Sequence, residues 1–89
     1  DIDEVADVSR QELILYPNPA DNHIRVVNED MDGLLDIVIY DMTGRSMLTD
    51  HVQAGEVLID TGEFPEGIYI IRLTDQMGRS ASGRMLVSH

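Results

Sequence analysis

Eighty-nine residues bound this chain to one domain. Seventeen acids against six bases give a net charge of −11 at pH 7, which argues against a nucleic-acid backbone or an anionic membrane as partner. There is no cysteine, so neither a disulfide nor a thiolate metal site can brace the fold, and no apolar run approaches the ~20 residues of a membrane-spanning helix.

The first residues are acidic, without a basic stretch followed by an apolar one, so no signal peptide is expected here; any export signal would have been removed or would lie on a longer parent chain. Residues 1–12 hold five acids and only Arg10, and their isolated Ile2, Val5 and Val8 are too few for a helix. They read as an acidic linker or disordered arm, with the domain at 13–89. The last eighteen residues reverse the balance, with Arg72, Arg79 and Arg84 against Asp75 alone.

Leu13–Tyr16 starts the domain as a strand, and Pro17-Asn18-Pro19 ends it, because neither proline can donate to a ladder. His23–Val27 is a second strand with Ile24 and Val26 on one face. Leu34–Met42 is a third, placing Leu35, Ile37 and Ile39 on one face and Val38 and Tyr40 on the other. Asp41-Met42-Thr43-Gly44 signals a hairpin, with Gly44 suited to a left-handed position and a bulge. Arg45–Val52 returns as the fourth strand, with Met47 as its expected buried residue. Glu56–Asp60 is the fifth. Phe64 is expected to plug the core before the Pro65-Glu66-Gly67 turn. Gly67–Thr74 is the most strand-like run in the chain, too apolar on both faces for an edge, and so a central strand. Asp75-Gln76-Met77-Gly78 signals another hairpin, and Arg79–Val87 is the seventh strand, with an interruption expected at Gly83. Seven short strands with turn signals every ~8–12 residues predict an all-β, immunoglobulin-like β-sandwich. Its core would rest on Ile, Leu, Val and Met together with Tyr16, Tyr40, Phe64 and Tyr69.

Residues able to carry chemistry are few. His23, His51 and His89 stand at no metal-ligand spacing and have no cysteine beside them, so they read as surface residues. Asp30-Met31-Asp32-Gly33 lacks the spacing of a calcium loop and reads as a solvated turn. Gly78-Arg79-Ser80-Ala81-Ser82-Gly83 misses the spacing of a nucleophile elbow, and the only histidine after it is His89. No active site, metal site or cofactor is expected.

Three separated motifs occur in order. Tyr16-Pro17-Asn18-Pro19-Ala20 precedes Ile24 and Val26. Val38-Ile39-Tyr40-Asp41 leads into Thr43-Gly44-Arg45. Ile59-Asp60 precedes Phe64-Pro65-Glu66-Gly67-Ile68-Tyr69-Ile70-Ile71-Arg72. Together they resemble the C-terminal sorting domain of the type IX (Por) secretion system of Bacteroidetes, over Leu13 to about Val87. The resemblance implies a seven-strand sandwich at the tail of a larger exported protein. That parent would cross the inner membrane by an ordinary signal peptide and pass through the periplasm. An outer-membrane translocon would recognise the folded tail, and a surface peptidase would then remove it, leaving the parent at the cell surface or secreted. The domain itself would be a signal without catalysis.

Arg84-Met85-Leu86-Val87 stands where the family carries a basic residue followed by aliphatics, and is the expected translocon-binding stretch. Its strand could be offered to the receptor as an added strand, with Arg84 on a receptor carboxylate. Tyr16, Pro17, Asn18, Pro19, Gly44, Phe64, Pro65, Gly67 and Tyr69 are assigned to fold shape, since they answer backbone demands. Thr61 stands where an aliphatic is usual, so that corner is expected to pack less tightly. The acidic arm would hold or adjoin the cleavage site, with Ala6 and Ser9 as the small candidates. The competing expectation is a structural or adhesive module that stays on a cell-surface protein and binds glycan or a neighbouring domain. An exposed Tyr69 or Tyr40 beside a groove would favour it.

Overall fold

The computed structural model describes residues 10–28 and 30–89, with side chains from Leu13 onward. The strands are β1 (Arg10–Glu12), β2 (Ile14–Tyr16), β3 (His23–Asn28), β4 (Leu34–Asp41), β5 (Ser46–Gln53), β6 (Gly55–Asp60), β7 (Gly67–Thr74) and β8 (Ser80–Val87). They form a five-stranded sheet in the order β1-β8-β7-β4-β5 and a three-stranded sheet in the order β2-β3-β6, packed as a sandwich. All neighbours are antiparallel except β1 and β8.

Alternation of apolar and polar residues puts Ile24 and Val26 of β3, Leu35, Ile37 and Ile39 of β4, and Ile71 and Leu73 of β7 in one fully buried core. β7 lies between β8 and β4, the central place its two-sided apolarity predicts. Met47 is half-buried and shares the flank of the core with Leu48 and Val52.

The first strand differs from the expectation. Arg10–Glu12 pair with Ser80–Ser82, so the ordered sandwich takes in three residues assigned to the arm. Leu13 donates from its backbone N–H to the Ser82 carbonyl, and the chain then crosses to the other sheet as β2. Counted as one sheet-switching strand, β1 and β2 give the seven strands expected. Gly83 explains how the crossing fits. A Cβ there would stand 3.0 Å from Leu15 Cδ1 and 3.4 Å from Leu13 Cβ. The glycine therefore leaves room for the crossing chain, and β8 runs through it without interruption.

Both tight hairpins are built on the same five-residue pattern. In Asp41-Met42-Thr43-Gly44-Arg45, Asp41 Oδ1 accepts from the N–H groups of Thr43 and Arg45, and Gly44 holds φ at 90°. In Asp75-Gln76-Met77-Gly78-Arg79, Asp75 Oδ1 accepts from the N–H groups of Met77 and Arg79, and Gly78 holds φ at 88°. The bulge expected near Gly44 appears as a register shift at Ile39/Tyr40 opposite Ser46 and Leu48.

Two aromatic placements need correction. Tyr16 is 46% exposed on the outer face of the small sheet, where its hydroxyl donates to Glu56. Tyr40 is half-buried on the outer face of the large sheet. Phe64 does meet the core, half-buried with its ring centroid 5.2 Å from that of Tyr69 at 60°. Thr61 is fully buried and does not loosen its corner. Its hydroxyl donates to the Asp21 carbonyl and its N–H to that of Asn22, so its polar atoms are satisfied.

Candidate functional site

The last strand alternates strictly. Ala81, Met85 and Val87 point into the core, while Ser82, Arg84 and Leu86 face solvent. Of the four expected contact residues, only Arg84 and Leu86 therefore present side chains outward. Met85 and Val87 hold the strand in place.

The edge of β8 opposite β7 is covered along its length. β1 pairs with Ser80–Ser82. Beyond Leu13 the Asn18 side chain takes over. Its Nδ2 donates to the Arg84 carbonyl at 2.9 Å, and the Leu86 N–H donates to its Oδ1 at 2.9 Å. Ala20 follows, donating to the Leu86 carbonyl at 2.7 Å and accepting from the Ser88 N–H at 2.8 Å. Prolines have no N–H, so Pro17 and Pro19 cannot continue a ladder. An amide side chain carries the same donor and acceptor as a peptide group, and Asn18 stands in for the missing strand residue. The edge of β8 that an added strand would need is therefore already bonded, by β1 and Leu13 over its first half and by Asn18 and Ala20 over its second.

The end of β8 is tied as well. His89 Nδ1 lies 2.8 Å from Asp21 Oδ1, and its Nε2 lies 2.8 Å from the Phe64 carbonyl oxygen. Both partners offer acceptor oxygens, so the two contacts together favour the protonated ring over the neutral one. Donation to Asp21, then to the Phe64 carbonyl, raises its pKa against the opposing effect of burial, with Asp21 and Glu66 charges adding to the rise. The His89 backbone N–H donates to Glu66 at 2.9 Å. The Tyr69 hydroxyl donates to the Pro65 carbonyl inside the same turn.

The quoted motifs therefore converge. Gly67 is paired with Val87, and Asp41 with Tyr69. The Tyr16–Ala20 segment, the Phe64–Tyr69 segment, the Gly44 hairpin and the end of β8 share one end of the sandwich. Ala6 and Ser9 lie outside the described residues. Sequence reasoning missed the roles of Asn18 and His89. Flanking prolines were the one signal for the former, and nothing in the sequence marked the latter.

Of the two tyrosines named for a glycan platform, neither is fully exposed. Tyr69 is buried at 4% exposure, and Tyr40 is half-buried. His23 is exposed, and His51 makes an exposed pair with Asp36. Asp30–Gly33 forms a turn whose Met31 is buried in the core.

Comparison with known proteins agrees with this arrangement. The family model described as secretion system C-terminal sorting domain matches residues 14–88. No curated protein matches the chain. Among solved structures, the fold is similar to part of PorZ, a bacterial surface component of the type IX secretion system of Porphyromonas gingivalis, with a TM-score of 0.71 at 21% identity. That match covers 86% of this chain and 11% of PorZ, so the chain spans a small part of its structural relative. Such a family implies export to the cell surface or secretion. With a family model matched over residues 14–88, this chain belongs to the C-terminal sorting domains, the secretion signals of the type IX system.

Proposed function

We propose that this domain is the tail of a larger exported protein and carries no reaction of its own. The parent crosses the inner membrane by its own signal peptide, transits the periplasm, and is delivered through the outer-membrane translocon once the folded tail is recognised. A surface peptidase then cuts within the acidic arm, near Ala6 or Ser9, and frees the parent at the surface. The family match over residues 14–88 carries this reading.

Arg84 and Leu86 contact the translocon, and Met85 and Val87 fix the register that presents them. Because Met85 and Val87 are core residues and β8 pairs with β7 along its whole length, removing Arg84–His89 would unfold the sandwich. Point substitutions outside the core are therefore the informative changes. The decisive test of processing is peptide mapping of the mature parent on the cell surface. Peptides should stop within residues 1–12. A surface form that retains residues 13–89 would instead support a resident module.

A further inference from the structure

On the large sheet, the outward residues of three adjacent strands fall into register. Arg84 on β8 stands opposite Ile70 on β7, which stands opposite Tyr40 on β4. Leu86 stands opposite Ile68, and Arg72 lies diagonally from Arg84 across the same pair of strands. Ile68 is 38% exposed and Leu86 40%, Ile70 and Tyr40 are half-buried, and both arginines are exposed. A shallow depression between Tyr40, Ile70 and Arg72 opens onto this surface.

The charges select what can cover it. Arg25, Arg45 and Arg79 each hold a carboxylate of this chain, from Glu56, Asp41 and Asp75. Among the described residues, Arg72 and Arg84 hold none, and both stand on this one face. In a chain of net charge −11, two arginines that no described carboxylate holds stand together beside an apolar surface. The small sheet offers the contrast. Its exposed Ile14, Tyr16 and Leu58 surround an arginine already bound to Glu56.

We infer that the outer face of the large sheet, built on Arg72, Arg84, Ile68, Ile70, Leu86 and Tyr40, is the surface on which a partner protein docks, and that this partner offers carboxylates around an apolar patch. The partner is read as a protein because two cations on a strongly anionic domain cannot offset its repulsion from an anionic lipid surface. The inference rests on the sorting role and gives it a mode: docking on a sheet face, in place of strand addition at the closed β8 edge.

The test uses the full-length parent in a bacterium that exports by the type IX system. Three tail variants are compared with the native tail and with a tail deletion: the charge reversal R72E/R84E, the neutral R72Q/R84Q, and the charge-keeping R72K/R84K. A photo-crosslinking residue at Ile70 reports the partner, and one at Leu58 on the opposite sheet serves as control. Thermal melts of the purified variants check folding. The expected result is surface delivery reduced at least tenfold by the reversal, less by the neutral pair, and restored by the lysine pair, with unchanged melts. The Ile70 probe should crosslink to an outer-membrane protein and the Leu58 probe should not. Native delivery of R72E/R84E alongside failure of the deletion would overturn the docking face and leave the sorting role intact. Native delivery of the deletion would remove the sorting role itself. Crosslinks from Ile70 to lipopolysaccharide alone would overturn the protein partner.

Discussion

Asn18→Ala tests the claim that one side chain completes the edge of the last strand. The substitution removes two hydrogen bonds, to the Arg84 carbonyl and from the Leu86 N–H, each 2.9 Å long. Each contributes about 0.5–1.5 kcal/mol, and water can reach both groups, which puts the loss near the lower end, at about 1–2 kcal/mol. For a domain of this size that lowers the thermal midpoint by about 4–16 °C. Asn18→Asp sharpens the test. It keeps an acceptor for the Leu86 N–H but loses the donor, and it sets a carboxylate oxygen against the Arg84 carbonyl. At pH 7 it should be no more stable than Asn18→Ala. Below the pKa of the new carboxyl it should recover relative to Asn18→Ala, since a protonated acid can donate again. Thermal melts of the purified domain and hydrogen exchange at the Leu86 amide read both effects. Unchanged protection of the Leu86 amide in Asn18→Ala, with a midpoint moved by less than about 1 °C, would refute the reasoning.

Three further outcomes follow from the same geometry. Met85→Ala opens a cavity at a fully buried site and should cost about 2–5 kcal/mol, with surface delivery falling in step with folding; an unchanged urea midpoint would contradict the burial of Met85. Gly83→Ala puts a Cβ 3.0 Å from Leu15 Cδ1, and the rotation forced on Leu15 should cost about 1 kcal/mol in a thermal melt, while Gly83→Val should cost more. His89 has its pKa raised by Asp21, the Phe64 carbonyl and Glu66, so its clamp should be fully formed below the ordinary value of 6.5 and fade as pH climbs through the raised value. NMR titration should therefore place His89 above that ordinary value, and the stability difference between native protein and His89→Gln should shrink on the alkaline side; a difference that grows with pH would reverse the sign of the argument.

Much of the fold is legible because hydrophobic period and turn chemistry are local. β7 is recognisable as central from Ile68, Tyr69, Ile70, Ile71 and Leu73 alone, since a strand apolar on both faces needs neighbours on both edges. Gly44 and Gly78 announce hairpins because only a left-handed residue closes those turns. What was not legible depends on contacts distant in sequence. Arg10–Glu12 form a strand through main-chain bonds to β8, and no apolar pattern is needed for that. Gly83 looks like a break until the crossing of Leu13 and Leu15 over it is seen. Asn18 reads as a turn residue because its work is done 66 and 68 positions away. Tyr16 looks like core by composition, but the pleat turns it outward beside Glu56. For the candidate site, Arg84, Met85, Leu86 and Val87 could be named from the chain only as one stretch, and the pleat then turns Arg84 and Leu86 outward and Met85 and Val87 into the core. The covered edge of β8 could not, and neither could the alignment of Arg72 with Ile68, Ile70 and Tyr40, which is a matter of register between strands.

The central claim is that these residues act as a transport address. It is tested most directly by fusing residues 1–89 to a periplasmic reporter and measuring reporter at the cell surface and in the medium of a type IX-exporting bacterium, beside an otherwise identical strain without the translocon. The account predicts export of the fusion in the first strain and periplasmic retention in the second, with the reporter alone retained in both. Retention of the fusion where the translocon works, or its export where the translocon is absent, would contradict it.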